Sequence, residues 1–306
     1  MIQTRPDIIS ASRRTDIPAW YTPWFLERIR QQTFAVTNPF NRRVRQIHVC
    51  PENTRTLVFW SKNFGPFLAL DAHLILADMG FNLFFNFTVN SVSPLLEPGL
   101  PALEVRLDQA GYLADRFGPG AVAWRFDPIC FFTRGPLPVE DNLADFPRIS
   151  RAMADFGITS CVTSFYDPYR KVAARTHYLA RCGAPLIRFT DPGTGRKTAL
   201  IRSLAAQLAD KNMDLCLCCE ADLFRHLDPV PDNVRENACI NGPLLRQLYG
   251  GTLDIRRDPG QRTKQGCRCT AAVDIGSYQD HVCHHNCLFC YATTDTDIRI
   301  RQDRQQ

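Results

Sequence analysis

Short apolar runs alternate along this chain with segments of helical periodicity, and this alternation constrains the fold more than any other feature. The apolar runs occupy residues 7–12, 56–61, 82–89, 121–127, 158–165 and 214–220, and a last candidate strand spans 271–278. Nearly continuous runs are typical of strands buried on both faces, as in a parallel sheet. The predicted helices, whose apolar residues recur every three or four positions, are 24–31, 66–80, 103–118, 146–157 and 198–212.

Repeated alternation of strand and helix indicates an α/β fold. Two architectures satisfy the pattern: a full or partial (β/α) TIM-like barrel, which we favour, and a doubly wound sheet. We expect residues 1–265 to form an α/β barrel domain. We expect residues 266–306 to form a cysteine-rich, cluster-binding segment packed on the barrel, with 295–306 as a solvated, frayed tail.

The sequence contains no signal for a membrane. It has no run of eighteen apolar residues, which a transmembrane helix would need. Its first residues lack the apolar stretch of a signal peptide. We therefore expect a cytoplasmic protein with no membrane partner, and the net charge of +5 permits a polyanionic partner without requiring one.

Charged and amide side chains follow the predicted strands where each strand ends. They are Arg13, Asp16, Lys62, Asn63, Arg125, Asp127, Asp167 and Lys171. The carboxyl ends of parallel strands meet at one edge of the sheet, where α/β proteins bind ligands. These residues are therefore our candidates for catalysis or for binding a cofactor or substrate. The alternative is that polar residues simply end strands, and that Arg125 and Asp127, which share a strand face, form a pair.

The thirteen cysteines are unevenly distributed. In a reducing compartment they are not expected to form disulfides. Four of them, Cys50, Cys130, Cys161 and Cys182, stand singly among apolar residues and are predicted to be small buried hydrophobic groups. The other nine lie between Cys216 and Cys290. A packed core does not require that concentration, whereas a metal site does.

The segment CHHNCLFCYA, residues 283–292, contains a C-x3-C-x2-C pattern formed by Cys283, Cys287 and Cys290. Three thiolates can ligate three irons of a 4Fe–4S cluster and leave the fourth iron open. A structural zinc ion normally has four protein ligands. His281, His284 or His285 would supply the fourth, so zinc remains an alternative at this stage.

The same pattern, with Phe289 before the third cysteine, resembles the signature of the radical S-adenosylmethionine enzymes. The fuller string C-x-H-x-C-x-x-C-Y-A, which runs from Cys283 to Ala292, is similar to the version in the spore photoproduct lyase group. The resemblance implies a 4Fe–4S cluster and S-adenosyl-L-methionine, held by Cys283, Cys287 and Cys290 together with Phe289 and Tyr291. It also implies an electron donor such as flavodoxin or ferredoxin and a 5′-deoxyadenosyl radical acting on an unknown substrate.

Two other functions are kept as alternatives. The photoproduct-lyase-like string suggests a nucleic-acid repair or modification enzyme, whose phosphate contacts would come from Arg13, Arg14, Arg42, Arg43 and Arg45. The other alternative is a zinc-stabilised, non-enzymatic binding module.

The position of the motif departs from the radical S-adenosylmethionine pattern. In that superfamily the motif usually follows the first strand, whereas here it follows the last candidate strand. A barrel with this order would be permuted, and the motif would still lie at the carboxyl end of a strand.

A wider resemblance extends along nearly the whole chain. The segments ISASRRTDIPA (9–19), VFWSKN (58–63), WRFDPI (124–129), SFYDPYRK (164–171) and DIGSYQDHVCHHNCLFCYA (274–292) carry it. They are similar to a largely bacterial family of domains of unknown function with a cysteine-rich C-terminus. That resemblance implies no particular reaction.

A second set of cysteines precedes the last strand. Cys218, Cys239, Cys267 and Cys269 would give four thiolates, enough for a second 4Fe–4S cluster or a structural zinc. Alternatively, some of them are simply buried. The sequence does not decide between Cys218 and Cys219 as a ligand, and it does not exclude Cys216.

Overall fold

The computed structural model describes residues 6–38 and 41–303, so the first five residues and the end of the predicted tail lie outside the described residues. The strands in this part of the chain are β1 (Ile8–Ala11), β2 (Thr33–Thr37), β3 (Val44–His48), β4 (Thr56–Ser61), β5 (Asn82–Thr88), β6 (Val122–Ile129), β7 (Phe131–Arg134), β8 (Glu140–Asp141), β9 (Ser160–Phe165), β10 (Ile187–Phe189), β11 (Asp214–Leu217), β12 (Val234–Glu236) and β13 (Val273–Asp274).

The helices surround these strands. They are α1 (Ile17–Trp20), α2 (Thr22–Arg30), α3 (Gly65–Ala69), α4 (Ala72–Asp78), α5 (Leu103–Phe117), α6 (Phe146–Asp155), α7 (Arg170–Arg181), α8 (Thr194–Ala209), α9 (Ala221–Arg225), α10 (Gly242–Tyr249) and α11 (Asp295–Asp303). Short 3₁₀ turns occupy Pro119–Ala121 and Thr263–Gln265.

Eight parallel strands form the main sheet, in the order β12-β11-β9-β6-β5-β4-β1-β13. Ile9 of β1 lies opposite Leu57 of β4, and Leu57 lies opposite Leu83 of β5. At least one helix separates each strand from the next strand of this sheet along the chain, as parallel pairing requires. The prediction of an α/β fold with a parallel sheet is confirmed.

The strand order has one interruption. The first seven strands of the main sheet follow chain order, and the last strand, β13, pairs with β1. The edge strands β12 and β13 do not pair with each other within the described residues, so the sheet is not a closed barrel. The segments next to these edges nevertheless meet, because the Thr270 amide donates to the Ile240 carbonyl oxygen at 2.9 Å.

The two faces of the sheet bury different residues. Leu57 and Phe59 pack on one face with helix residues such as Phe25 and Leu107, and we call this the helix-covered face. Val58, between them in sequence, points the other way because successive strand residues alternate. It shares a second cluster with Ile8, Phe84, Val162 and several cysteines, which we call the cysteine face.

Two small antiparallel sheets accompany the main one. Strands β2 and β3 form a hairpin that places Arg45 opposite Val36. Strand β7 pairs with both β10 and β8. We did not predict these strands, since runs of two to five residues give little periodicity.

Several predicted elements differ from the structure. The predicted helix 66–80 is two helices, α3 and α4, separated at Asp71, whose φ of 51° is left-handed. The prediction of a frayed tail is wrong for residues 295–303, which form α11 and bury Asp297 and Ile300. The predicted last strand, 271–278, is reduced to the two residues of β13.

The segment 266–306 contributes directly to the sheet, because β13 lies within it and pairs with β1. Cys182 also departs from prediction: it is exposed, whereas Cys50, Cys130 and Cys161 are buried as expected. No helix within residues 6–38 and 41–303 has both the length and the apolar character needed to cross a membrane.

Candidate functional site

The three motif cysteines lie in the loop between β13 and α11, and we call residues 283–290 the cysteine loop. Its start is fixed by a bridge between Cys283 and Thr294, and the Cys283 amide donates to the Thr293 carbonyl oxygen at 2.9 Å. Its other neighbours include Asp16, which follows β1, and Lys62, which follows β4. The loop therefore lies at the carboxyl end of the main sheet, as predicted.

A buried arginine of α7, which we did not predict, holds the backbone of this loop. Arg175 is fully buried, and its guanidinium forms an ion pair of 2.7 Å with Asp297 of α11. It also donates to four carbonyl oxygens, those of Cys287 (2.8 Å), Leu288 (3.0 Å), Cys290 (3.0 Å) and Ala292 (3.3 Å). This one side chain satisfies carbonyls on both sides of the third cysteine and fixes the path of the loop.

Lys62 places a cation beside the three thiols. Its Nζ lies 2.6 Å from Oε1 of Glu97 and 5.4 Å from the centre of the Phe289 ring. Burial alone would lower the pKa of Lys62, but the charge of the Glu97 carboxylate raises it overall, so the side chain stays cationic. Glu97 also lies close to the loop, with Oε1 3.8 Å from Sγ of Cys287.

Burial raises the pKa of all three motif thiols, and the Lys62 charge opposes this shift at each of them. Desolvation disfavours a thiolate, so these groups are neutral thiols when nothing is bound. A thiolate-binding metal would supply the missing positive charge and displace the three protons.

The histidines of the motif mainly position the loop. Nε2 of His285 contacts Asp16 at 2.9 Å, and Nδ1 contacts the Gly99 carbonyl oxygen at 3.1 Å. Both ring nitrogens are thus engaged, and binding zinc would break one of these contacts. His284 contacts Asp295 at 2.8 Å, and His281 packs on Trp24 with ring centres 4.2 Å apart.

Gly99 approaches the loop so closely that a side chain would not fit. A Cβ at this position would lie 2.7 Å from the His285 carbonyl oxygen and 2.8 Å from its Cα. We expect Gly99→Ala to lower the free energy of unfolding by about 1–3 kcal/mol, because backbone must move to relieve the overlap. Urea unfolding measures this change.

The matched control is Gly195→Ala in α8, where an added Cβ meets nothing within 4 Å. This substitution should be neutral or stabilising by up to about 1 kcal/mol, since alanine favours a helix over glycine. Equal effects of the two substitutions would contradict the assigned close approach at Gly99.

The charged and amide residues predicted at the strand ends, which we call the rim residues, divide into separate groups. Asp16 caps α1 and accepts hydrogen bonds from Ser61 and from the Lys62 amide, and it also contacts Nε2 of His285. Asn63 accepts from Gly65 and Gln109, away from the cysteine loop. These two side chains have structural partners for most of their lone pairs.

Two more rim residues, Asp167 and Lys171, have partners other than the three motif cysteines. Asp167 is exposed and paired with Arg262. Nζ of Lys171 is 3.1 Å from Oγ1 of Thr293, so Lys171 lies next to the end of the loop. Tyr291, a predicted cofactor residue, donates its hydroxyl to the Arg13 carbonyl oxygen at 2.8 Å.

The remaining rim residues face the second set of cysteines. Arg125 and Asp127 form the ion pair that we had considered as the structural alternative, with 2.5 Å between Nη2 and Oδ2. Nη1 of Arg125 also lies 2.8 Å from Sγ of Cys239. The guanidinium groups of Arg13 and Arg125 both lie over the Trp60 ring, at 5.8 and 5.1 Å from its centre.

Five cysteines make contact on the cysteine face, and we call Cys218, Cys219, Cys239, Cys267 and Cys269 the five-cysteine group. Sγ of Cys218 lies 3.1 Å from Sγ of Cys239 and 3.9 Å from Sγ of Cys219. Thiol contacts also join Cys239 to Cys269, Cys269 to Cys267, and Cys267 to Cys219. The contacts close a ring, so the predicted second set includes both Cys218 and Cys219.

Cys216 does not join this ring. It lies in β11, two residues before Cys218, which follows the strand, but it makes no thiol contact with the group. Burial raises its pKa to about 12. By contrast, thiol hydrogen bonds from Cys218 and Cys267 lower the pKa of Cys219 below its usual range. Among the described residues, no three histidine, cysteine, aspartate or glutamate side chains are already arranged to hold a metal ion.

A cavity of about 310 Å³ opens beside the cysteine loop, next to Tyr291. Four basic side chains line it, those of Arg14, Arg42, Lys171 and Arg301, and the described residues that line it include no carboxylate. Such a cavity favours an anionic ligand.

The chain was compared with known proteins. The sequence profile of a family described as a domain of unknown function (DUF1848) matches residues 8–292. A search of curated proteins finds no significant match. The matched span contains every strand of the main sheet and both sets of cysteines. The sequence resemblance to a family of domains of unknown function is therefore confirmed, and the chain belongs to the family DUF1848.

Proposed function

We propose that the protein is an iron–sulfur enzyme of the radical S-adenosylmethionine type, whose cluster is ligated by Cys283, Cys287 and Cys290. The observation that carries the proposal is the placement of these thiols. All three lie within the electrostatic influence of Lys62, at the carboxyl end of a parallel sheet. Ligands usually bind parallel α/β folds at that end.

The donor set suits a cluster better than a single ion. The three motif thiols influence one another electrostatically, but no thiol–thiol hydrogen bond joins them in the described structure. In a 4Fe–4S cluster each thiolate ligates a different iron, so the sulfur atoms need not converge on one point. Of the two histidines inside the motif, His285 has both ring nitrogens engaged and His284 contacts Asp295 through Nδ1, which weakens the zinc alternative.

The sheet also supports the proposal. We interpret it as a (β/α) barrel interrupted between β12 and β13, because neighbouring strands follow chain order and β13 lies beside β1. The motif follows β13 rather than the first strand, which is the order that a permuted barrel requires. The loop keeps its place at the carboxyl ends although its place in the sequence differs.

Such a cluster supplies one electron for the reductive cleavage of S-adenosyl-L-methionine to a 5′-deoxyadenosyl radical. The protein's own residues would hold the loop in place and balance the charge of the cluster. Arg175 holds the loop carbonyls, and the Lys62 ammonium offsets the negative charge of the thiolates. Lys171 and Tyr291, between the loop and the cavity, are our candidates for contacts with S-adenosyl-L-methionine or substrate.

The test starts from protein purified without oxygen. We expect about four irons with sulfide at the cysteine loop, and more if the five-cysteine group also holds a cluster. Addition of S-adenosyl-L-methionine and a reductant, either dithionite or reduced flavodoxin or ferredoxin, should produce 5′-deoxyadenosine. An intact cluster that yields none would contradict the radical mechanism. Zinc without iron would leave a zinc-stabilised binding module.

A nucleic-acid repair or modification enzyme is the second candidate, and the basic cavity favours it. Arg14, Arg42, Lys171 and Arg301 surround a space beside the proposed cluster where a phosphate group would be neutralised. Arg43 and Arg45 are exposed on the adjoining hairpin segment, whereas Arg13 is turned towards the cysteine face. This candidate requires binding to DNA or RNA that weakens as salt is added.

A further inference from the structure

We infer that the five-cysteine group is a second metal centre, in which thiolates bind a thiophilic metal as zinc or as an iron–sulfur cluster. Thiolate ligands select these metals. The inference does not depend on the proposed activity, because the two sets of cysteines occupy different parts of the fold. One lies in the loop after β13, and the other lies at the ends of β11 and β12 and before β13.

The contacts among the thiols are the first support. Cys218 and Cys239 are 21 positions apart in sequence, yet their sulfur atoms are 3.1 Å apart. Cys267 and Cys269 complete the ring from a third segment of the chain. Thiols are weak hydrogen-bond partners and contribute little to ordering three segments. A metal bound by four of the five would contribute far more.

The location in the sheet is the second support. The group lies where strand pairing is interrupted: Cys218 follows β11, Cys239 follows β12, and Cys269 precedes β13. The Ile240 amide already points at Sγ of Cys269, at 3.5 Å. A metal here would join the two edge strands that do not pair within the described residues.

The surrounding charge is the third support. Nη1 of Arg125 lies 2.8 Å from Sγ of Cys239. Arg13, stacked on the same Trp60 ring, has Nε and Nη2 buried without a hydrogen-bond partner in the described structure. Unpaired buried donors of a guanidinium are costly. A metal centre with four thiolates carries net negative charge and would compensate Arg13, whereas Arg125 is already paired with Asp127.

The side chains would have to rotate to bind a metal, since the thiols form a ring and do not yet surround a common point. Two of the sulfur–sulfur separations already approach the spacing that a zinc ion needs. Two thiolates on a tetrahedral zinc are about 3.8 Å apart, given a Zn–S distance of about 2.3 Å. The observed separations of 3.1 and 3.9 Å lie close to that spacing. A cluster would require the thiols to separate further.

The experiment removes the first site and asks whether metal remains. The full chain carrying Cys283→Ala, Cys287→Ala and Cys290→Ala is purified without oxygen, and zinc, iron and sulfide are measured. We expect about one zinc without sulfide, or about four irons with sulfide, per chain. Either result supports the second centre and identifies its metal. A folded variant without metal would overturn the inference.

Two further sets of substitutions, each made in this triple variant, locate the ligands. Adding Cys239→Ala and Cys269→Ala should lower the remaining metal at least about tenfold. Adding Cys216→Ala instead should leave it unchanged, because Cys216 packs against the same cluster but makes no thiol contact with the ring. Equal losses from the two additions would overturn the assigned ligands.

A spectroscopic measurement covers the case in which the variant with all five of these cysteines replaced does not fold. In the variant that lacks only the three motif cysteines, X-ray absorption at the metal edge should show that the atoms bound to the metal are all sulfur, at about 2.3 Å. A shell of oxygen or nitrogen would overturn the inference. The proposed function fails separately, through lack of 5′-deoxyadenosine from the wild-type protein.

Discussion

Cys287→Ala is expected to remove the iron and sulfide of the proposed cluster and to lower the proposed formation of 5′-deoxyadenosine by about 100-fold or more. Even residues that only support metal ligands cost about 10- to 100-fold in metal affinity or activity when they are changed. Cys287 is the most buried of the three motif cysteines, and Arg175 holds its carbonyl oxygen at 2.8 Å. Two remaining thiols cannot retain a cluster that needs three. Iron and sulfide analysis, with the visible spectrum, measures the loss.

Cys130→Ala is the matched control. Cys130 is fully buried in the same apolar cluster as Cys287 and Phe289, but it lies outside the motif. Its removal should cost stability through a small cavity and leave iron and 5′-deoxyadenosine formation unchanged. If Cys287→Ala kept the full cluster spectrum, or if Cys130→Ala lost it equally, the ligand assignment would be wrong.

Arg175→Met is expected to lower the free energy of unfolding by about 3–5 kcal/mol, because it leaves the buried Asp297 carboxylate without its cation. The substitution also deprives the loop of the donors to four carbonyl oxygens. We therefore expect the affinity for iron at the loop to fall as well, by about 10- to 100-fold. Urea unfolding and iron content under anaerobic conditions measure the two effects.

Arg181→Met, on the exposed surface of the same helix, is the control for Arg175→Met. It should change stability by no more than about 0.5 kcal/mol. The double variant Arg175→Met with Asp297→Asn should cost less than the sum of the two single changes, because the two side chains contact each other. Additive costs, or a cost at Arg175 no larger than that at Arg181, would contradict the role given to this ion pair.

The strands of the main sheet could be read from the sequence where burial imposes a pattern. Residues 56–61 form β4 as predicted, and β5, β6 and β9 begin within two residues of their predicted starts. These strands have buried apolar residues on both faces, so each contains a run of consecutive apolar side chains between polar ones. Strand β12 has three residues and was not predicted, because so short a run has no measurable periodicity.

Helix α7 was also not predicted, and neither was its residue Arg175, which holds the cysteine loop. Its buried side includes Arg175, so an arginine stands where an apolar residue would have signalled a helix packed on a core. Glu97, which pairs with Lys62 and lies near Cys287, comes from a loop without any motif. No local signal marks a charge whose partner is distant in the chain.

The sequence by itself determined that this is a parallel α/β protein with a three-cysteine motif at the carboxyl end of a strand, because periodicity and spacing are local properties. Only the tertiary structure decided which thiols meet. It brought Cys219 into the ring and left Cys216 out, although the two are three positions apart. It also placed Arg175 on a loop 112 positions away. Contacts of this kind depend on strand order and on the face that each residue presents, and these are set when distant segments pack together.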